Sequence, residues 1–382
     1  MPEPRSSPGS PVTTGPTAVK KVLLHIGTGK TGTTSIQHTL DRAAGQGRLG
    51  RVAYPHLRGK DHNFIAALYR PYGKLPRIYK SAYGPDPTPE FEADVATFRE
   101  GLWDVVDRND RVIISGEYMT AFQPEDARAL RDDLHRHGVT EVLVVMYVRD
   151  PASYYLSWLQ QRVKAASRFE PPAAWRDRSF EAVRVWRNTF SELRVRPFDR
   201  RLLDGGDAVC DFLGVASDFF GGDLRNAGIE VLTRNESISA EGMVLMHRYR
   251  DQFYPEEQNI FKPDSSGIHS VLQRSKAILP QTTPRLRYEV AQMVLRNHAI
   301  ELEALWDDYG IDFRPDPAAG DGCATVEGAR LADLADVLEP HDEEVLDRLV
   351  LHALRHGFSS QPDLIRRPPA DATPGRRRET PG

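Results

Sequence analysis

Short continuous apolar runs alternate along the first half of the chain with segments whose apolar positions recur every three to four residues. Three runs stand out: 21–26, 111–117 and 141–148. The third is apolar from Val142 to Val148 and rich in β-branched residues, the pattern of a central parallel strand buried on both faces. Between the runs lie helical patterns at 33–42, with Ile36 and Leu40 one turn apart, at 90–106 behind Pro89, and at 124–137, opened by Pro124 and closed by Gly138. Strands alternating with helices predict an α/β fold, a central parallel sheet flanked by helices.

The pattern changes further on. Asp150 and Pro151 fit the cap and first position of another helix, followed by a helix at 179–193, a strand at 194–198 and a short helix at 207–213. Beyond that the alternation fades into a mainly helical C-terminal third, with helices at 240–253, 284–309 and 342–356. Thr283 fits the cap of the second of these, Pro284 its first position and Gly310 its end. Residues 56–90 scatter Gly, Pro and aromatics around a short helical piece at 63–69, which reads as a long surface excursion. The expected organisation is a tail at 1–19, one domain over 20–318, a helical extension over 319–366 and a second tail at 367–382.

Composition narrows the function classes. A chain of 382 residues can bury a sizeable core. The net charge of −4 lacks the dominant basic field of a nucleic-acid protein. Its two cysteines, Cys210 and Cys323, have neither metal-ligand nor redox spacing, which fits a reducing compartment. No run approaches the roughly 18 to 20 apolar residues of a membrane span, and the first residues lack the apolar segment of a signal peptide. The expectation is a soluble, cytoplasmic protein.

The candidate chemistry begins at the first strand. His25-Ile26-Gly27-Thr28-Gly29-Lys30-Thr31-Gly32-Thr33-Thr34-Ser35 carries the chain from strand through a Gly-rich turn into a helix. Such a turn gathers unpaired backbone N–H groups and a helix N-terminus, which attract phosphate. Lys30 adds a full charge, and Thr33, Thr34 and Ser35 add hydroxyls. Three phosphate-binding patterns overlap here. Gly27-x-Gly29-x-x-Gly32 fits a dinucleotide fingerprint, but the next strand candidate, 51–55, offers no acid for a ribose; its arginine, Arg51, keeps the reading open for a 2′-phosphate. Gly29-Lys30-Thr31 supplies the end of a Walker A loop, whose first Gly should stand where Leu24 does. Lys30-x-Gly32-Thr33-Thr34 after a strand is similar to the loop with which sulfotransferases bind the 5′-phosphosulfate of PAPS (3′-phosphoadenosine 5′-phosphosulfate).

A second stretch, Tyr147-Val148-Arg149-Asp150-Pro151-Ala152-Ser153-Tyr154-Tyr155-Leu156-Ser157, favours the third pattern. An Arg at a strand end, in an R-[DN]-P sequence, with a Ser eight residues on, resembles the 3′-phosphate motif of PAPS-dependent sulfotransferases. Together the two motifs resemble that family over about residues 20–165; 196–213 resembles its bacterial members more loosely. The resemblance implies a P-loop-like sulfotransferase fold and transfer of a sulfuryl group to a hydroxyl or amine of a small-molecule or carbohydrate acceptor. It implies that Gly29, Lys30, Thr31, Gly32, Thr33, Thr34, Ser35, Arg149 and Ser157 bind PAPS, and that no metal is needed. Lys30 would meet the charge growing on the leaving phosphate. Glu117 is the first candidate for the general base and His62 the second, while His25 is expected to pack in the sheet. A P-loop kinase or NTPase, a nicotinamide enzyme and a non-catalytic nucleotide-binding protein on the same fold remain the alternatives.

Overall fold

The structure, a computed structural model, describes residues 19–222, 224–232, 237–317 and 333–360, with side chains up to 355. The expected tails, apart from residue 19, and residues 319–332 and 361–366 of the expected extension lie outside these residues.

The three apolar runs form β1 (Lys21–Ile26), β2 (Arg111–Gly116) and β3 (Glu141–Val148), and the run after them forms β4 (Glu192–Pro197). All pair in parallel in the order β2-β1-β3-β4. Before β2 come α1 (Thr33–Gly45), α2 (Ala66–Tyr69), α3 (Arg77–Tyr83) and α4 (Pro89–Arg108). Then α5 (Pro124–Arg136), α6 (Pro151–Ala165), α7 (Ser179–Thr189) and α8 (Ala208–Phe220) follow. The expected α/β architecture is what the chain adopts. Leu23, Ile113, Leu143, Val145 and Tyr147 pack one sheet face onto Ile36 and Leu40 of α1 and Val209, Phe212 and Leu213 of α8. Strand alternation turns Val22, Leu24, Ile26, Ile114 and Val144, all fully buried, to the other face, where α4 lies against β2 and α7 against β3.

The strand order positions the site. From β1 the chain runs to β2 on one side, then crosses to β3 on the other, so the connections diverge between β1 and β3. In open parallel sheets a crevice forms at such a point, beyond the C-terminal strand ends. The Gly-rich turn leaves β1 there and Arg149 follows β3 there.

Residues 56–90 are the surface excursion expected only in part, because a few of their side chains anchor in the core. His62, Ile65 and Ala66 are fully buried, and Phe64, Tyr79 and Phe91 nearly so. Phe64 packs on Tyr79, Phe91 and Phe98 with ring centres 5.4–6.1 Å apart, an aromatic cluster that fastens the segment onto α4.

Further on come α9 (Ala240–Phe253), α10 (Pro263–Ser275), α11 (Tyr288–Arg296), α12 (Ala299–Tyr309), α13 (Leu334–Val337) and α14 (Glu343–Ser360). The single helix expected over 284–309 is two. Its start is lost because Leu286 bridges to Leu338 and the Arg287 amide donates to Val337, an extended pairing. It breaks at His298, whose amide turns to the Leu295 carbonyl while its Nδ1 takes the Val294 carbonyl that a helix would give to that amide.

The chain forms two compact units, each discontinuous in sequence: Met1–Tyr155, Trp175–Asn235 and Ala291–Ala324 in the first, and Leu156–Ala174, Glu236–Val290 and Thr325–Gly382 in the second. The sheet belongs to the first. In the second, fully buried Arg250 on α9 donates to the Ala165 and Glu257 carbonyls. No helix of the described residues is long and apolar enough to cross a membrane.

Candidate nucleotide-binding site

The turn after β1 is shaped by its own side chains. Gly27 is packed: a Cβ there would stand 2.3 Å from the Thr33 methyl group. The Thr28 carbonyl accepts both the Thr31 hydroxyl at 2.8 Å and the Thr33 hydroxyl at 3.2 Å. Thr28 Oγ1 donates across to the Tyr147 carbonyl of β3 at 2.5 Å. Thr31 and Thr33 are buried and turned into the loop, so their hydroxyls brace it. Thr34 is exposed at the start of α1, with half-exposed Ser35 beside it.

Lys30 and Gly32 both take left-handed backbone, with φ of 63° and 79°. Gly32 is the N-cap of α1, which has no side-chain cap bond and no acid in its first turn. That end therefore keeps its positive dipole uncompensated by any carboxylate of its own. A side chain at Gly29 would meet Tyr154 Oη at 3.0 Å and Glu117 Oε1 at 3.6 Å. The turn, the end of β2 and the first turn of α6 thus crowd one spot, which a backbone without Cβ leaves open.

Arg149 lies against the same turn. Its Nη1 donates to the Lys30 carbonyl at 3.1 Å and its Nε to Ser153 Oγ at 2.9 Å. Asp150 caps α6 as expected, its Oδ1 accepting the Ser153 amide at 2.7 Å. The Phe198 ring lies 5.5 Å from the guanidinium and packs on Gly32. Burial lowers the Arg149 pKa and raises that of Asp150. Ser157 is half-buried two turns along α6, in the part of that helix belonging to the second unit.

Glu117 opens a short turn, Glu117–Ala121, at the end of β2. Its carboxyl pKa is raised by burial, with the Lys30 charge pulling it down and the Asp61 carboxylate pushing it up. A raised pKa makes a carboxylate a stronger base. Asn63 Oδ1 holds the Glu117 amide, and Asp61 Oδ1 in turn holds the Asn63 amide at 3.0 Å.

His62 is not at the site. It is fully buried, its Nδ1 accepts the Ser115 amide at 2.8 Å, and its Nε2 donates to the Pro55 carbonyl at 2.6 Å. Burial lowers its pKa to about 4. Both nitrogens are engaged by backbone, so His62 ties 55–62 to β2 and is withdrawn as a base. His25 packs in the sheet as expected, with Nδ1 2.8 Å from Ser115 Oγ and its pKa lowered by burial to about 3.

Tyr154, Asn63, Ser153 and Asp61 were not read as site residues. Tyr154 had a signal: it stands one turn into the helix that follows Arg149, where a side chain faces back toward the strand end. Among the described residues no group of three or more His, Cys, Asp or Glu side chains is placed to hold a metal ion. A groove of about 560 Å³ between α4 and α5, lined by Tyr69, Arg99, Trp103, Asp133, Arg136 and His137, includes none of the loop residues. The sequence matches no protein-family model and no curated protein.

Proposed function

We propose that the protein is a sulfotransferase that moves a sulfuryl group from PAPS to a hydroxyl or amine of a small-molecule or carbohydrate acceptor. One observation carries the reading. A lysine-bearing Gly turn and a strand-end arginine, 119 residues apart in sequence, are joined by a hydrogen bond at the point where the sheet connections diverge. A nucleotide charged at both its 5′ and 3′ ends calls for such a pair of cations. The residues also fit the substrate chemically: α1 begins uncapped and without acids, and Gly29 leaves backbone accessible between Tyr154 and Glu117.

In this reading the loop amides, Lys30 and Thr34 hold the 5′-phosphosulfate, and Arg149 holds the 3′-phosphate. Glu117 accepts the acceptor proton as the new O–S or N–S bond forms. The bond from sulfur to the bridging phosphate oxygen breaks, and the charge left on that oxygen is met by Lys30 and the helix N-terminus. Thr31 and Thr33 keep the loop rigid, which lowers the cost of arranging these groups at the moment of transfer.

A P-loop kinase or NTPase is the second reading, since Glu117 stands close enough to Lys30 to feel its charge and could instead help hold Mg²⁺. A thermal-shift panel of adenosine 3′,5′-bisphosphate, ATP with Mg²⁺ and NADPH separates the readings, because only a ligand of the folded state raises the midpoint. Stabilisation by the bisphosphate is expected. Stabilisation by ATP–Mg²⁺ or NADPH alone would overturn the reading.

A further inference from the structure

Lys30 is one of two non-glycine residues with positive φ among the described residues. A lysine gains nothing locally from that conformation, so its surroundings must hold it there. The bonds at Thr28 fix the loop before and after Lys30. The Lys30 carbonyl is held by Arg149 Nη1. Arg149 is in turn prevented from turning away: Ser153 Oγ accepts its Nε, Ser153 passes its own proton to the Asp150 carbonyl at 3.0 Å, and Phe198 lies under the guanidinium. A chain of contacts therefore runs from the first turn of α6 to the backbone of the loop lysine.

We propose that Arg149 is a positioning residue for Lys30 in addition to a cation for the nucleotide: it holds the loop in the left-handed conformation that sets where the lysine side chain leaves it. The ligand side of this inference rests on the sulfotransferase reading. It couples the two ends of the nucleotide, since whatever moves Arg149 at the 3′ end also moves Lys30 at the 5′ end. The fork geometry is needed, because one guanidinium serves Ser153 and the Lys30 carbonyl in different directions and a lysine ammonium at 149 cannot span both.

The test uses adenosine 5′-phosphosulfate, which has the sulfated end and lacks the 3′-phosphate. Calorimetric affinities are compared for the parent chain, Arg149→Ala, Arg149→Lys, Lys30→Ala and the Arg149→Ala/Lys30→Ala double variant. Positioning predicts that Arg149→Ala weakens this ligand at least tenfold, that Arg149→Lys does not restore it, and that the double variant loses little more than Lys30→Ala alone. Unchanged affinity in Arg149→Ala would show that the arginine serves the 3′-phosphate only, and the inference would be wrong.

A second arm needs no nucleotide. Native-state digestion with a lysine-specific protease should cut after Lys30 at least tenfold faster in Arg149→Ala, and detectably faster in Ser153→Ala, with the other cleavage sites unchanged. Equal rates after Lys30 would overturn the inference. If the parent binds neither adenosine 5′-phosphosulfate nor adenosine 3′,5′-bisphosphate, the sulfotransferase reading fails and the digestion arm alone decides the coupling. Should Arg149→Ala prove misfolded, cut at every site, Arg149→Lys and Ser153→Ala carry the same comparison.

Discussion

Asn63 Oδ1 accepts the main-chain amides of both Glu117, at 2.6 Å, and Tyr118, at 3.3 Å. One side chain from the segment after His62 thereby caps the turn on which the candidate base stands, and Asp61 fixes that side chain's own backbone. Asn63→Ala leaves two partly buried amides without their acceptor. It should cost about 1–2 kcal/mol in urea unfolding and lower sulfuryl transfer without lowering affinity for adenosine 3′,5′-bisphosphate. A parallel loss of bisphosphate affinity would mean that Asn63 supports the whole loop and not the base alone.

The two buried histidines make a separate prediction about acid stability. Burial depresses the pKa of His62 to about 4 and that of His25 to about 3, from 6.5. Below 6.5 the unfolded chain binds protons that the folded chain refuses. The stability tied to these groups is thus present above 6.5 and is lost as pH falls toward their folded values. For His62 alone the loss is on the order of 3 kcal/mol. His62→Gln should flatten the fall in unfolding free energy between pH 6.5 and 4. It should also lower stability at pH 8, since the bonds to Ser115 and Pro55 are lost. An unchanged slope would contradict the assignment of His62 as a buried neutral strut.

Glu117 behaves in the opposite sense. Its folded pKa is raised, so the stability it contributes is present below the ordinary carboxylate value of 4.5 and is lost as pH rises through the raised one. Glu117→Gln should therefore melt no lower than the parent at neutral pH. The same change should cut transfer by roughly 10²–10⁴-fold and remove the fall in rate on the acid side of the pH profile. Both effects can be read on an acceptor found by screening with labelled PAPS. A variant that transfers normally would return the base role to another group.

The sheet was legible because burial on both faces leaves little choice of residue. Strands such as β3 must be continuously apolar, and Gly and Pro bracket them. The Gly turn and Arg149 were legible for a related reason: strand ends in such a sheet have known positions, so a motif at a strand end can be placed. What was not legible depended on contacts between distant segments. The 56–90 segment looked like a surface excursion throughout because its aromatics have no period, and only packing on α4 makes Phe64 and Tyr79 core. The helix expected from Pro284 is unwound by pairing with Leu338, a partner 52 residues beyond Leu286 that no local window contains. Helix α10 was overlooked although Pro263 and Asp264 open it in the ordinary way. His62 was misplaced because a histidine near the start of a segment of scattered Gly, Pro and aromatics reads as accessible, whereas both its nitrogens are claimed by Pro55 and Ser115.

The most direct measurement is a calorimetric comparison of adenosine 3′,5′-bisphosphate with adenosine 5′-monophosphate on the parent chain and on Arg149→Ala. A charge-assisted hydrogen bond to the second phosphate contributes about 1.5–3 kcal/mol, so the parent should bind the bisphosphate at least about tenfold more tightly, and Arg149→Ala should erase the difference. Equal affinity of the parent for the two nucleotides, or a preference that survives the loss of Arg149, would contradict the assignment.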